Sequence, residues 1–362
     1  MKIAYTAASM VPSLAANSVH VMRMASAFSR AGHDVTLYLP KINYNDEATT
    51  FEHYGTENTF SIQRVLWPKI RGRAYVFAAQ SVRLAKKAGC DLFYSRSIAA
   101  SAFAIGAGLP TVLEMHGPYT DKSLVEQMLF KWLIRQRSFS KLVVISGRLK
   151  KWFEENNSVL HGRITCAHDG ADIGVKPAPA SGPVQKAGYF GGLYDGRGID
   201  VILNMARCTP SIDYIIYGGT EEDVARWKLA AQTVTNFYLK GHAPPGKVMS
   251  LMRQCDVLLA PYQNIVAVYG GSGNTVQWMS PLKLFEYMAA GRAIICSDVP
   301  VLREILTPCE TAIMPEAAEV NQWIAAISAL DSPDLRTKLQ TRAYERVERE
   351  FSWNRRAENV LR

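Results

Sequence analysis

Residues 280–291 read SPLKLFEYMAAG and run straight into AIICSDVP. The spacing predicts a short helix between a loop and a strand. Ser280 suits the N-cap, Pro281 the first helical position with Leu282 after it, and Gly291 the residue just past the end. Leu282, Leu284, Phe285, Met288 and two alanines give the helix a face to bury. Glu286 stands among them, and a carboxylate in apolar company is costly unless something hydrogen-bonds to it. Lys283, in the first turn, opposes the helix dipole, and that placement points to an anion at the helix N-terminus. His116 ends the apolar run TVLEM, with Glu114 two residues earlier on the same strand face and able to orient it. Arg197 lies in the glycine-rich stretch YFGGLYDGRG. Each has a plainer alternative: a Glu on a solvated helix face, a structural His, a surface Arg.

Other chemistries lack their residues. No G-x-G-x-x-G follows the first strand, where the sequence is TAASMVPSLAAN. GGSGNT at 270–275 is not followed by GKS or GKT, so it is no P-loop. There is no Asp-x-Asp pair, no His/Cys cluster with metal spacing and no G-x-S-x-G elbow. The six cysteines are scattered without a CxxC pair, which argues against a zinc site or disulfide framework and fits a reducing cytoplasm. No signal-peptide layout opens the chain, and no apolar run reaches the roughly 18–20 residues of a spanning helix.

The elements that must hold these residues alternate between strand and helix. KIAYTAA, DVTLYLP, DLFYS, TVLEM and KLVVIS read as strands, with helices near 19–30, 75–88, 97–107, 123–137 and 147–155. ITCAHDGAD closes this half. Residues 173–185, GVKPAPASGPVQK, have linker composition. The pattern restarts with AGYFGGL, DYIIYGG, NFYLKG, DVLLAPY and AIICSD, each followed by a helix. Short apolar strands alternating with helices predict two doubly wound parallel sheets, and 362 residues are enough for two domains. A cleft between the carboxyl ends of two such sheets is where a ligand is expected. The net charge of +9 falls entirely in residues 1–182, where 22 Lys and Arg face 13 Asp and Glu; residues 183–362 hold 19 of each. The first half is therefore suited to an anionic partner such as a membrane surface, a lipid phosphate or nucleic acid, or the excess serves solubility alone.

The whole chain resembles a family 4 glycosyltransferase of the paired-Rossmann GT-B type, especially those that build bacterial surface polysaccharides. The segments that carry the resemblance are ANSVHVMRMASAF, LEMHGP, VVISGRLKKWF, YFGGLYDGRGIDVIL, LKGHAPPGKVMSLMRQCDVLLAPY and SPLKLFEYMAAGRAIICSDVPVLREIL. FSWNRRAENVL resembles the final helix of that fold, which crosses back onto the first domain. The resemblance implies a first domain at 1–172, a linker at 173–185, a nucleotide-sugar domain at 186–350 and a returning helix at 351–362. It assigns Glu286 to the ribose hydroxyls of a sugar nucleotide and the helix start at Ser280, Pro281 and Leu282 to its diphosphate. Arg197 and the GGLYDGRG loop, with Gly191 and Gly192, are implied at the diphosphate too. The family's first arginine of that loop is Gly192 here, and Lys283 can supply the missing cation. His116 is implied at the donor sugar, Asn17 and Ser18 in the first phosphate-facing loop, and Gly241, His242 and Ala243 at the base. The family's second glutamate, eight residues before Glu286, is Trp278 here.

These implications amount to a retaining, metal-independent glycosyltransferase that uses no cofactor. It would take a nucleotide-diphosphate sugar as donor and a glycan or lipid-linked glycan as acceptor. Nucleic acid is not an expected partner. The location implied is cytoplasmic and peripheral at the inner face of the membrane. Two rivals remain: a sugar-nucleotide epimerase on the same fold, and a non-catalytic sugar-nucleotide-binding subunit.

Overall fold

The computed structural model describes residues 1–13, 15–41, 47–178, 182–266 and 274–362. The chain forms two compact units, one of Met1–His168 with Trp353–Arg362, the other of Asp169–Ser352.

In the first unit β1 (Lys2–Thr6), α1 (Ala16–Arg30), β2 (Asp34–Pro40), α2 (Glu47–Tyr54) and β3 (Ser61–Val65) come first. They are followed by α3 (Arg73–Lys87), β4 (Leu92–Ser95), α4 (Ile98–Gly106), β5 (Thr111–Met115), α5 (Leu124–Leu133), β6 (Phe139–Val144), α6 (Gly147–Asn156) and β7 (Ile164–Cys166). The seven strands form one parallel sheet in the order β3-β2-β1-β4-β5-β6-β7. All five residues of β5 are buried, as expected of a strand covered on both faces. Ser97, Ser123 and Ser146 cap α4, α5 and α6, each hydroxyl accepting a backbone N–H of the first turn. The strand order reverses between β1 and β4, which opens a crevice at their carboxyl ends.

In the second unit the order is β8 (Lys186–Phe190), α7 (Ile199–Cys208), β9 (Asp213–Tyr217), α8 (Glu221–Ala230), β10 (Phe237–Gly241), α9 (Pro245–Met252) and β11 (Val257–Ala260). Then follow α10 (Leu282–Ala290), β12 (Ala293–Cys296), α11 (Val320–Ala329) and α12 (Pro333–Glu350). Its five parallel strands run β10-β9-β8-β11-β12, so the reversal lies between β8 and β11. A further helix, α13 (Trp353–Leu361), belongs to the first unit. Its buried residues Trp353, Arg356, Ala357 and Val360 recur at helical spacing and form one face.

The two doubly wound parallel sheets expected from the alternation are present. The described residues of the Pro/Gly-rich stretch, 173–178 and 182–185, fall within the second unit. Hydrogen bonds staple them there: Tyr344 Oη to Gly174 O at 2.6 Å, Arg253 to Val175 O at 3.2 Å and Arg292 to Ala178 O at 3.0 Å. The sequence reading found no element between β2 and α3, where α2 and β3 lie, because neither carries a clear apolar period. α5 stops at Leu133, short of the 123–137 expected from sequence, with Ile134 as its C-cap.

Candidate functional site

The second unit gathers its candidate residues at the β8/β11 reversal. The loop after β8 is pressed against the loop after β11 by two glycines. A Cβ at Gly196 would collide with the Ile265 carbonyl oxygen, and one at Gly198 with that of Pro261. Both sit at positive φ, +84° and +70°, so side chains are excluded on two counts. Arg197 between them packs on two tyrosine rings of these loops. Its guanidinium lies over the rings of Tyr194 and Tyr262, at 4.5 and 5.4 Å from their centroids, and Nη2 donates to the Tyr194 hydroxyl. Its buried Nε has no hydrogen-bond partner.

Lys283 shares the Tyr262 ring with Arg197. It is buried, only 8% exposed, and Nζ has no hydrogen-bond partner. The ammonium instead lies over the faces of Tyr189 and Tyr262, at 4.0 and 4.4 Å. Burial first, and the nearby Arg197 charge second, push its pKa well below the ordinary lysine value. Gly191 lies beside it: a Cβ there would come 3.7 Å from Lys283 Cδ. The missing arginine at Gly192 has a steric reason, since the Tyr194 ring fills the space where a side chain would start. The three tyrosines were not singled out from sequence. Their spacing shows nothing, because the site brings together positions 189, 194 and 262.

The start of α10 differs from the expectation in detail. Pro281 is the N-cap, Leu282 is the first helical residue, and no side chain caps the helix. Ser280 lies one residue earlier, and its hydroxyl accepts the Asp169 N–H at 2.9 Å. It secures the chain where the second unit begins instead of capping. Gly291 closes the helix in the left-handed conformation, as expected. Glu286 is half-buried one turn inside α10. Gly241 ends β10 at φ +71°, and its carbonyl accepts the Gly218 N–H at 2.7 Å; His242 is exposed and Ala243 buried. The run GGSGNT at 270–275 lies outside the described residues up to Gly273.

Asn17, Ser18 and His116 belong to the first unit, at the carboxyl side of its sheet. Ser18 is fully buried, and its hydroxyl is spent on the Ser13 and Ala15 carbonyls at 3.0 and 2.7 Å. It shapes the loop and has no free proton for a ligand. His116 is joined to a buried charge network that the sequence reading saw only in Glu114. Nε2–H of His116 donates to Glu114 Oε1 at 2.5 Å, while Nδ1 accepts from Arg96 Nη2 at 3.0 Å. Glu114 also receives the Tyr94 hydroxyl, has His20 Nε2 at 2.9 Å and is ion-paired with Arg356 of α13 at 3.2 Å. Burial alone would raise the Glu114 pKa, but Arg356, His20 and the His116 hydrogen bond hold it well below the usual carboxylate range. Burial, then the Arg96 charge, lowers His116 to about 4, so the ring is neutral near pH 7. Ligand atoms of His20, Glu114 and His116 lie within 4.8 Å of one another. Arg356 and Arg96 crowd the same carboxylate and oppose a cation there.

Comparison with known proteins agrees with this layout. A Glycosyltransferase Family 4 model matches residues 18–175 and a Glycosyl transferase-like model matches residues 200–362. The phosphatidyl-myo-inositol mannosyltransferase of Mycolicibacterium smegmatis is 27% identical over 180 residues, 48% of this chain and 43% of that protein. The Mycobacterium leprae protein of the same name is 26% identical over 249 residues, 61% of this chain and 62% of that one. The chain thus spans about half the length of the curated relatives it matches. Anabaena HepE in complex with UDP superposes with a TM-score of 0.74 at 15% identity, covering 100% of this chain and 98% of that one. A Rickettsia africae glycosyltransferase gives 0.75 at 14% identity, covering 99% and 96%. The fold is GT-B.

Proposed function

We infer, from the premise that this is a GT-B chain whose two halves match glycosyltransferase models, that it transfers a sugar from a nucleotide-diphosphate donor to a glycan or lipid-linked glycan. The observation that carries the reading is Lys283, a buried ammonium without a hydrogen-bond partner beside a second cation, Arg197. An unpaired buried cation is costly, and a diphosphate at the uncapped start of α10 would pair both charges. Glu286, one turn further along α10, is assigned to the ribose hydroxyls. Arg197, Lys283 and the helix N-terminus would stabilise the charge that grows on the departing diphosphate, a task that in other enzymes falls to a metal ion. Retention of configuration is inferred from the family resemblance, as is a product belonging to a bacterial surface polysaccharide.

Calorimetric titration tests the reading. Wild-type protein should bind UDP or GDP, Lys283→Met should weaken binding at least tenfold, and Glu286→Ala should cut turnover by ~10² by removing charge-assisted bonds of roughly 1.5–3 kcal/mol each. Unchanged binding in Lys283→Met, or no affinity for any nucleoside diphosphate, would overturn it. Transfer should also persist in excess EDTA.

The acceptor side is assigned to the first unit, docked on an anionic membrane. No helix among the described residues is long and apolar enough to cross one. On α5 the exposed apolar residues are Leu124 (77%), Val125 (56%), Met128 (72%) and Trp132 (43%), flanked by exposed Lys122, Lys131 and Arg135. Leu133 of the same helix faces the core. Such a face suits the interfacial layer of a bilayer. Vesicle sedimentation should show salt-sensitive binding to anionic lipid that Trp132→Glu abolishes; equal binding to neutral vesicles would sink this part.

A further inference from the structure

Arg96 lies just past β4, at the carboxyl edge where the order of the first sheet reverses. Its guanidinium is fixed on three sides. Nη1 donates to Asn17 Oδ1, Nη2 donates to His116 Nδ1 at 3.0 Å, and Nε lies 3.8 Å from Glu114 Oε1. Each of those partners is itself fixed. Asn17 donates to Ser9 Oγ at 3.1 Å, His116 donates to Glu114, and Glu114 is held by Tyr94, His20 and Arg356.

Two features give this arrangement a purpose beyond structure. His116 has both ring nitrogens engaged, so in this arrangement the ring has no nitrogen to offer a ligand. Arg96 has donors to spare. A guanidinium carries five N–H groups, and two hydrogen bonds and one ion pair leave protons on both terminal nitrogens, with 17% of the side chain exposed. The charge also does not balance. Glu114 is already paired with Arg356 at 3.2 Å, so Arg96 adds an unneutralised positive charge to the cluster, with His116 neutral near pH 7.

We propose that Arg96 is the ligand-binding residue of the first unit, receiving a phosphate or carboxylate oxyanion on its outward N–H groups. Asn17, His116 and Glu114 act as positioning residues that hold the guanidinium plane. A fixed fork of this kind matches the two oxygens of such a group and loses little freedom on binding. The proposal does not depend on the nucleotide reading of the second unit and can fail or succeed separately.

The test uses the full chain carrying Arg197→Ala and Lys283→Met, so that the second unit's cations are removed. Inorganic phosphate and acetate are titrated separately while the ring ¹⁵N signals of His116 are followed. One of the two should give a saturable shift, because an oxyanion on Arg96 alters the hydrogen bond it donates to Nδ1. The tighter probe identifies the oxyanion class. Adding Arg96→Gln should weaken that binding at least tenfold, and Arg96→Lys should recover only part of it. Asn17→Ala, which keeps the charge but frees the guanidinium, should weaken it severalfold with an unchanged melting temperature. Absence of any shift, or equal affinity in Arg96→Gln, overturns the assignment. If Arg96→Gln fails to fold, the Asn17→Ala comparison decides alone: equal affinity there is also fatal.

Discussion

At the scale of single residues, the second unit keeps a lysine where it is least comfortable. Lys283 lies between two tyrosine faces, with its proton affinity lowered by burial and by Arg197. Because its folded pKa is below the unfolded value, the unfolded chain binds the extra proton more readily, and folding is penalised at every pH below the lysine range. Lys283→Met should therefore raise the melting temperature of the ligand-free protein, by about 2–4 °C per kcal/mol relieved. A lower melting temperature would mean that the ammonium has a stabilising partner in solution. In the first unit, His116 is lowered to about 4 and Glu114 lies well below its usual range. Both make the unfolded chain the better proton binder as pH falls, so stability should decline from about pH 6.5 toward pH 4 and below. The urea midpoint of His116→Gln should fall less steeply over that window than that of the wild type. Identical slopes would remove His116 from the account. Lys283 could be read from sequence because a lysine in a first helical turn runs against the dipole. Arg96, His20, Tyr94 and Arg356 could not, because the network joins positions 20, 94, 96, 114, 116 and 356, and no period or spacing links them.

At the scale of elements, the parallel sheets were legible because strands buried on both faces are written as short continuous apolar runs, such as AIIC in β12 and VLLA in β11. The edge strand β3 has the mixed burial that hides a strand in sequence. The loop between β8 and α7 owes its path to glycines rather than to side-chain contacts. Gly198→Ala would place a Cβ against the Pro261 carbonyl at positive φ, so the loop must lift and carry Arg197 with it. We expect nucleotide affinity to fall at least tenfold, with a stability loss on the order of 1–3 kcal/mol. Wild-type affinity in that variant would show that Arg197 reaches its place without the close approach of the two loops. Gly192→Ala meets a ring instead, which can rotate, and should be milder in the same titration.

At the scale of the whole molecule, charge and connectivity single out the first unit. It carries 24 Lys and Arg against 12 Asp and Glu, so its positive excess is larger than that of the whole chain. Its charge network is completed by α13, which brings Arg356 to Glu114, packs the Trp353 ring against His20 at 5.4 Å and donates from Asn359 to the Cys166 carbonyl at 3.1 Å. A fragment of residues 1–168 should show no cooperative thermal transition, and a synthetic peptide of residues 353–362 should restore one. A fragment that melts cooperatively without the peptide would show the helix to be dispensable. The same connectivity sets an order of events at the ribosome. Residues 169–352 must all be synthesised between the two parts of the first unit, a wait on the order of ten seconds or more at bacterial and eukaryotic rates. Throughout that wait Glu114 lacks Arg356, the nearer of its two guanidinium partners, and the nascent first unit stays open to chaperones and proteases. A message cut short anywhere before α13 therefore leaves the first unit without that helix, so that only a copy translated through α13 can close.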